Sequence, residues 1–131
     1  MIKTNILASC ILLALDILWV SLYMSREYKK QIKDIQGTEM KTRLYFGAIA
    51  YILMVVGLNM FVMPNIRKNH ELLDSLKYGA TFGLVIYGIY DMTAGAVFKD
   101  WNMSLAILDI IWGSFVFFIS AYIGSKVGSK L

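Results

Sequence analysis

The sequence predicts an all-α protein, an integral membrane bundle of four transmembrane helices, and three observations carry that fold class. The composition is apolar, with 58% hydrophobic and 17% charged residues and a mean hydropathy of +0.60. The charges are gathered into clusters instead of being spread along the chain. Between the clusters lie four stretches, uncharged or nearly so, each long enough to cross a membrane. A soluble domain of 131 residues lacks the interior volume to hide so much apolar side chain, and lipid removes the need.

A bilayer core about 30 Å thick needs roughly 20 apolar residues of helix, and backbone groups in lipid must bond internally. The spacing predicts a first span over about 5–24 and a second over about 44–63, stopped by Pro64. A third follows over about 75–98 and a fourth over about 101–123, together forming one domain over 1–131. The Lys99–Asp100 connection is so short that the last two spans form a tight antiparallel hairpin. The 25–43 connection is longer, and Tyr28, Ile32, Ile35 and Met40 recur at helical spacing among its lysines. Two readings stand: an amphipathic helix lying in the headgroups, or an extension of the first span that turns at Gly37.

Leu7-Ala8-Ser9-Cys10 has the outline of a lipoprotein cleavage box, but the apolar run continues through Trp19, so the segment reads as the first span itself. Cys10 is the single cysteine, which excludes an intrachain disulfide and leaves a small membrane-facing packing residue. The net charge of +4 needs no nucleic acid to explain it, because anionic headgroups attract basic residues to span ends. Four spans put both termini on one face, with six basic residues there and seven on the other. The density of the 25–43 loop tips that loop toward the cytoplasm.

Three acids lie inside the spans: Asp16, Asp91 and Asp109, and no Lys or Arg lies inside a span to neutralise them. A mid-membrane carboxylate costs about 2.5–3.5 kcal/mol on insertion scales, so such a residue turns inward and marks function. Asp16 lies eight residues before Met24, Asp91 eight before Lys99, and Asp109 eight after Trp101. At 1.5 Å per residue each is roughly 12 Å from the long-loop face. Tyr51, eight residues after Arg43, falls in the same layer, so every span brings one polar group to it.

Helical spacing adds neighbours. Trp19 follows Asp16 by three residues and Trp112 follows Asp109 by three, while Tyr87 and Tyr90 accompany Asp91. Tyr hydroxyls and Trp indoles are the donors a buried carboxylate needs. Gly79, Gly83 and Gly113 let helices approach closely. Leu15-Asp16-Ile17-Leu18-Trp19 echoes Leu108-Asp109-Ile110-Ile111-Trp112 on helices of opposite direction, which an inverted repeat would leave and chance in apolar sequence also allows. Either way two Asp–Trp pairs face each other. Three close carboxylates in a low dielectric cannot all be ionised, so the layer holds protons or a bound cation.

Leu15-Asp16-x-x-Trp19, Tyr87-Gly88-x-Tyr90-Asp91-x-Thr93, Asp100-Trp101 and Asp109-x-x-Trp112-Gly113 resemble the predicted membrane proteins of domain-of-unknown-function family 2177. The similarity covers nearly the whole chain. It departs at Ala94, where the family pattern has Asn, and at Asn102, where it often has Pro. The resemblance implies a four-helix membrane protein in which these Asp and Trp positions matter, with Thr93 counted in the supporting layer; it implies no activity.

His70 stands alone in the second loop, and no catalytic triad, phosphate loop or metal spacing appears, so neither an enzyme nor a cofactor is expected. Tyr23, Tyr45 and Trp101 read as interfacial anchors. Asn59, Ser9 and Ser120 lie in the terminal-side half; they either satisfy themselves locally or line a polar path from the Asp layer. The expected function is transport of protons or small cations through Asp16, Asp91 and Asp109. Four helices enclose only a narrow path, so a homo-oligomer is expected. The alternative is a lipid- or partner-binding protein whose polar layer is structural.

Overall fold

The computed structural model describes residues 2–24, 44–99 and 101–131. Among them are four helices long and apolar enough to cross a membrane. Helix α1 runs Ile2–Trp19 and continues as a π-helical turn, Val20–Met24. Helix α2 runs Leu44–Gly57, passes into a π-helical segment, Leu58–Val62, and closes in a 3-10 turn, Met63–Asn65. Helix α3 spans Glu71–Val97 and is π-helical over Ser75–Ala80. Helix α4 runs unbroken over Met103–Gly128. The two alternatives for 25–43 fall outside the described residues.

The helices overrun the apolar stretches that predict them. α3 starts at Glu71 and α4 ends at Gly128, each beyond the expected span. Hydropathy senses only the hydrocarbon core, whereas helical hydrogen bonds persist through the headgroup region, and at 26 residues α4 is about 39 Å long. Pro64 does not stop α2 at Met63; it sits in the first turn of the closing 3-10 helix, where its missing N–H has no partner to lose. At the other hairpin Asn102 caps α4, its Oδ1 accepting from the Ser104 and Leu105 amides at 3.0 and 3.2 Å.

Helix α4 is the centre of the bundle, with α1 along one side and α3 along another. Its buried residues, Ala106, Asp109, Gly113, Val116, Phe117, Ser120, Ala121, Gly124 and Gly128, recur every three or four positions. The backbones touch because side chains are missing where they cross. A Cβ on Gly83 would strike the Gly113 carbonyl, and one on Gly124 would lie 2.5 Å from the Ala8 Cβ. In lipid, where apolar burial gives little preference for one helix over another, such backbone contact supplies the association. Phe117 fills the centre against Phe82 and Tyr87, at ring separations of 5.3 and 6.4 Å. Helix α2 is the outlying member and reaches the core through Leu58, Val62 and Met63. Large apolar side chains such as Ile52, Leu53, Ile89 and Ile111 point outward, as a lipid solvent allows.

The α2–α3 connection is held by one ion pair. The Arg67 backbone amide and Nε each donate to Asp74 Oδ2 at 2.9 Å, and Nη2 donates to Oδ1 at 3.0 Å. Asn69 turns the chain with a φ of 68°, a conformation Asn tolerates well.

Candidate functional site

The three span carboxyls are buried: Asp91 fully, Asp16 and Asp109 nearly so. Each stands on the inward stripe of its helix. The i,i+3 spacing of Asp16 with Trp19 and of Asp109 with Trp112 puts an acceptor and a donor side by side on both α1 and α4.

The two pairs bond across, not within, their helices. Trp19 Nε1 donates to Asp109 Oδ1 at 3.3 Å, and Trp112 Nε1 donates to Asp16 Oδ1 at 3.1 Å. Between these bonds the two indoles stack, with centroids 4.7 Å apart and planes 10° from parallel. The echo in sequence is thus a reciprocal contact in space: each helix lends its Trp to the other helix's Asp.

The remaining helices complete the layer. The Tyr87 hydroxyl of α3 donates to Asp16 Oδ1, its ring lying over Gly113, where a Cβ would collide with it. The Tyr51 hydroxyl of α2 also hydrogen-bonds Asp16. Asp16 therefore collects neutral donors from three other helices. Asp109 differs. Besides the Trp19 indole its neighbour is the Asp91 carboxyl, to which it is hydrogen-bonded. A bond between two carboxyls needs a proton on one of them, because an ionised carboxylate only accepts.

Asp16, Asp91, Asp109, Trp19, Trp112, Tyr51 and Tyr87 thus come together. Tyr90 and Thr93, grouped with them from sequence, do not: Tyr90 is 58% exposed and Thr93 is exposed as well. The helix explains the division, since Tyr90 and Thr93 lie about 100° and 200° around α3 from Asp91. Gly79, Gly83 and Gly113 all meet α3–α4 contacts, Gly79 against the Phe117 carbonyl. Gly124 and Gly128, not among the glycines expected from sequence to pack helices, carry the α1–α4 contact against Ala8 and Thr4. Their small-x-x-x-small spacing, continued back to Ser120, is the signal that points to them. Cys10 is exposed on the bundle's outside, and His70 is exposed in the loop before α3.

Among the described residues no group of three His, Cys, Asp or Glu side chains is arranged to hold a metal ion. The family model described as Predicted membrane protein (DUF2177) matches residues 1–126. No curated protein and no solved structure matches the chain.

Proposed function

We propose, from the premise that this chain belongs to the DUF2177 family of predicted membrane proteins, that its carboxyl layer takes up and hands on protons in a narrow transport route. The Asp91–Asp109 pair carries this reading. Two carboxyls bonded to each other hold a proton that can leave or arrive with little movement of heavy atoms. Asp16, linked to Asp109 through the Trp19–Trp112 stack, is the third carboxyl of the same layer.

Transport of a small metal cation is less well supported. Such an ion needs several converging oxygen ligands, while the N–H and O–H groups of Trp112 and Tyr87 already take up Asp16 Oδ1. The path through four helices is narrow, and a second copy of the chain, packed through lipid-facing surface, would complete it. The basic 25–43 loop then faces the cytoplasm.

Proteoliposomes carrying a trapped pH-sensitive dye test the proposal. An imposed potential is expected to drive proton entry in the native protein, and Asp16→Asn, Asp91→Asn and Asp109→Asn each to abolish it. Undiminished flux in all three variants ends the idea.

A second reading has its own observation. The Trp19, Trp112 and Tyr87 donors are each matched to an acceptor, as a layer that only sets helix register requires. In that case the protein binds lipid or a partner, the native chain carries no protons, and the Asn variants keep their partner.

A further inference from the structure

A second polar level lies in the terminal-side half of the bundle, apart from the carboxyls. Asn59 Nδ2 donates to Ser9 Oγ at 2.9 Å, joining α2 to α1. Ser120 is one turn from Gly124, which meets Ala8, and Ser75 is one turn from Gly79, which meets Phe117. Residue counts from Asp16 to Ser9, Tyr51 to Asn59 and Asp109 to Ser120 put those residues roughly 10–16 Å from the carboxyls. Ser75, sixteen residues from Asp91 and one turn beyond the Gly79–Phe117 contact, lies at the outer edge of this level, about 24 Å along α3.

Its polar atoms are not satisfied as such atoms usually are. A Ser in a helix commonly bonds a carbonyl in the preceding turn, as Ser9 does with Asn5 and Ser125 with Tyr122. The Ser75 and Ser120 hydroxyls have no partner although both residues are wholly buried, and Asn59 Oδ1 is likewise buried and unpartnered. A buried polar group left unpaired costs about 1–3 kcal/mol. An ordered water meets two to four such groups at once.

The backbone is irregular at the same level. Two π-helical segments lie here, Leu58–Val62 with Asn59 in it and Ser75–Ala80 beginning at Ser75. A π turn widens the helix and disturbs the regular carbonyl ladder, and it is frequent at functional sites. Side chains attend both: Asn59 Nδ2 donates to the Val55 carbonyl at 2.8 Å, and Ser114 Oγ to the Ala80 carbonyl at 2.9 Å. Toward the surface, Ser75 adjoins Asp74, which is 1% exposed and gripped by Arg67, whose side chain is 63% exposed. Toward the carboxyls, Leu12, Val116 and Phe117, all fully buried, form an apolar collar.

We propose that Asn59, Ser75 and Ser120 build a buried water-binding site, and that this site is the arm through which protons pass between the terminal face and the carboxyl layer. The second clause rests on the proton reading above; the first does not. The Leu12–Val116–Phe117 collar is then the apolar gate between the two levels. The Arg67–Asp74 pair closes the outer mouth.

Water-edited solid-state NMR on the native protein in bilayers tests the site. Magnetisation from water is expected to reach Ser75 and Ser120 about as fast as exposed Ser129, and several-fold faster than Val116. Build-up as slow as at Val116 overturns the proposal. Ser120→Val and Asn59→Leu, checked for native near-ultraviolet circular dichroism, are expected to slow proton entry into proteoliposomes several-fold. Wet serines with unchanged flux in both variants overturn the arm and leave the water site standing. Wet serines with no flux in the native chain sink the proton reading instead.

Discussion

Asp16 shows how much one oxygen can organise. Its Oδ1 accepts from both Trp112 and Tyr87, so the donors of two other helices depend on it. Asp16→Asn keeps an oxygen there and is expected to fold, whereas Asp16→Leu strands those donors. At about 1–3 kcal/mol for each unpaired group, the Leu variant is expected to lose several kcal/mol, read as a lowered unfolding temperature in detergent micelles. The reciprocal Trp bonds make a sharper expectation. Trp19→Phe and Trp112→Phe each delete one indole N–H and half of one stack, so their effects overlap. In a double-mutant cycle the pair is expected to be less destabilising than the sum of the singles, by about 0.5–1.5 kcal/mol. Additive losses would show that the two rings act independently. The sequence places these residues at one depth, because helical rise is a local property. It does not say that each Trp serves the opposite helix's Asp, since that depends on which helix stands beside which.

At the scale of the element, glycine separates helix–helix contact from lipid contact. Gly83 and Gly124 lie where α4 meets its neighbours, while a Cβ on Gly47 or Gly88 would meet nothing within 4 Å. Gly83→Ala and Gly124→Ala are therefore expected to push helices apart and lower the unfolding temperature. Gly47→Ala and Gly88→Ala are expected to raise stability by about 0.5–1 kcal/mol through helix propensity and reduced freedom of the unfolded chain. Thermal unfolding of the four variants in one detergent decides it, and a uniform response would contradict the division between crossing and lipid-facing glycines. A glycine at a crossing and one facing lipid look alike in the sequence. Composition admits both roles; only the neighbouring backbone chooses.

Across the whole molecule, α4 holds α1 and α3, and α2 stands at the edge. Among the described side chains of 45–57 no apolar one is fully buried, and the helix's anchorage comes later, at Leu58, Val62 and Met63. Regions with few buried contacts open first. Hydrogen–deuterium exchange in micelles is expected to be faster in Leu44–Gly57 than in Met103–Gly128. Equal protection would mean that α2 is bound as firmly as the rest, or covered by a second copy. The Arg67–Asp74 clamp is the exception at this edge, joining the end of α2 to the start of α3. Asp74→Asn is expected to loosen that hairpin and speed exchange in Leu58–Val62, leaving α4 unaffected.

The four spans and the layer of carboxyls were determined by the sequence itself. Apolar length against bilayer thickness is read residue by residue, and three acids at matched depth follow from counting along helices. Tertiary structure alone decided which faces look inward. In water a helix announces its buried face by contrast with a polar one, but in lipid both faces are apolar and that contrast vanishes. So Tyr90 and Thr93 stand close to Asp91 in the sequence yet turn outward. Ser75 and Ser120, ordinary small residues in the sequence, became buried hydroxyls without partners. The Asp–Trp echo became a crossed pair of hydrogen bonds around stacked indoles. Each depends on the azimuth of one helix against its neighbour, which packing sets and hydropathy does not encode.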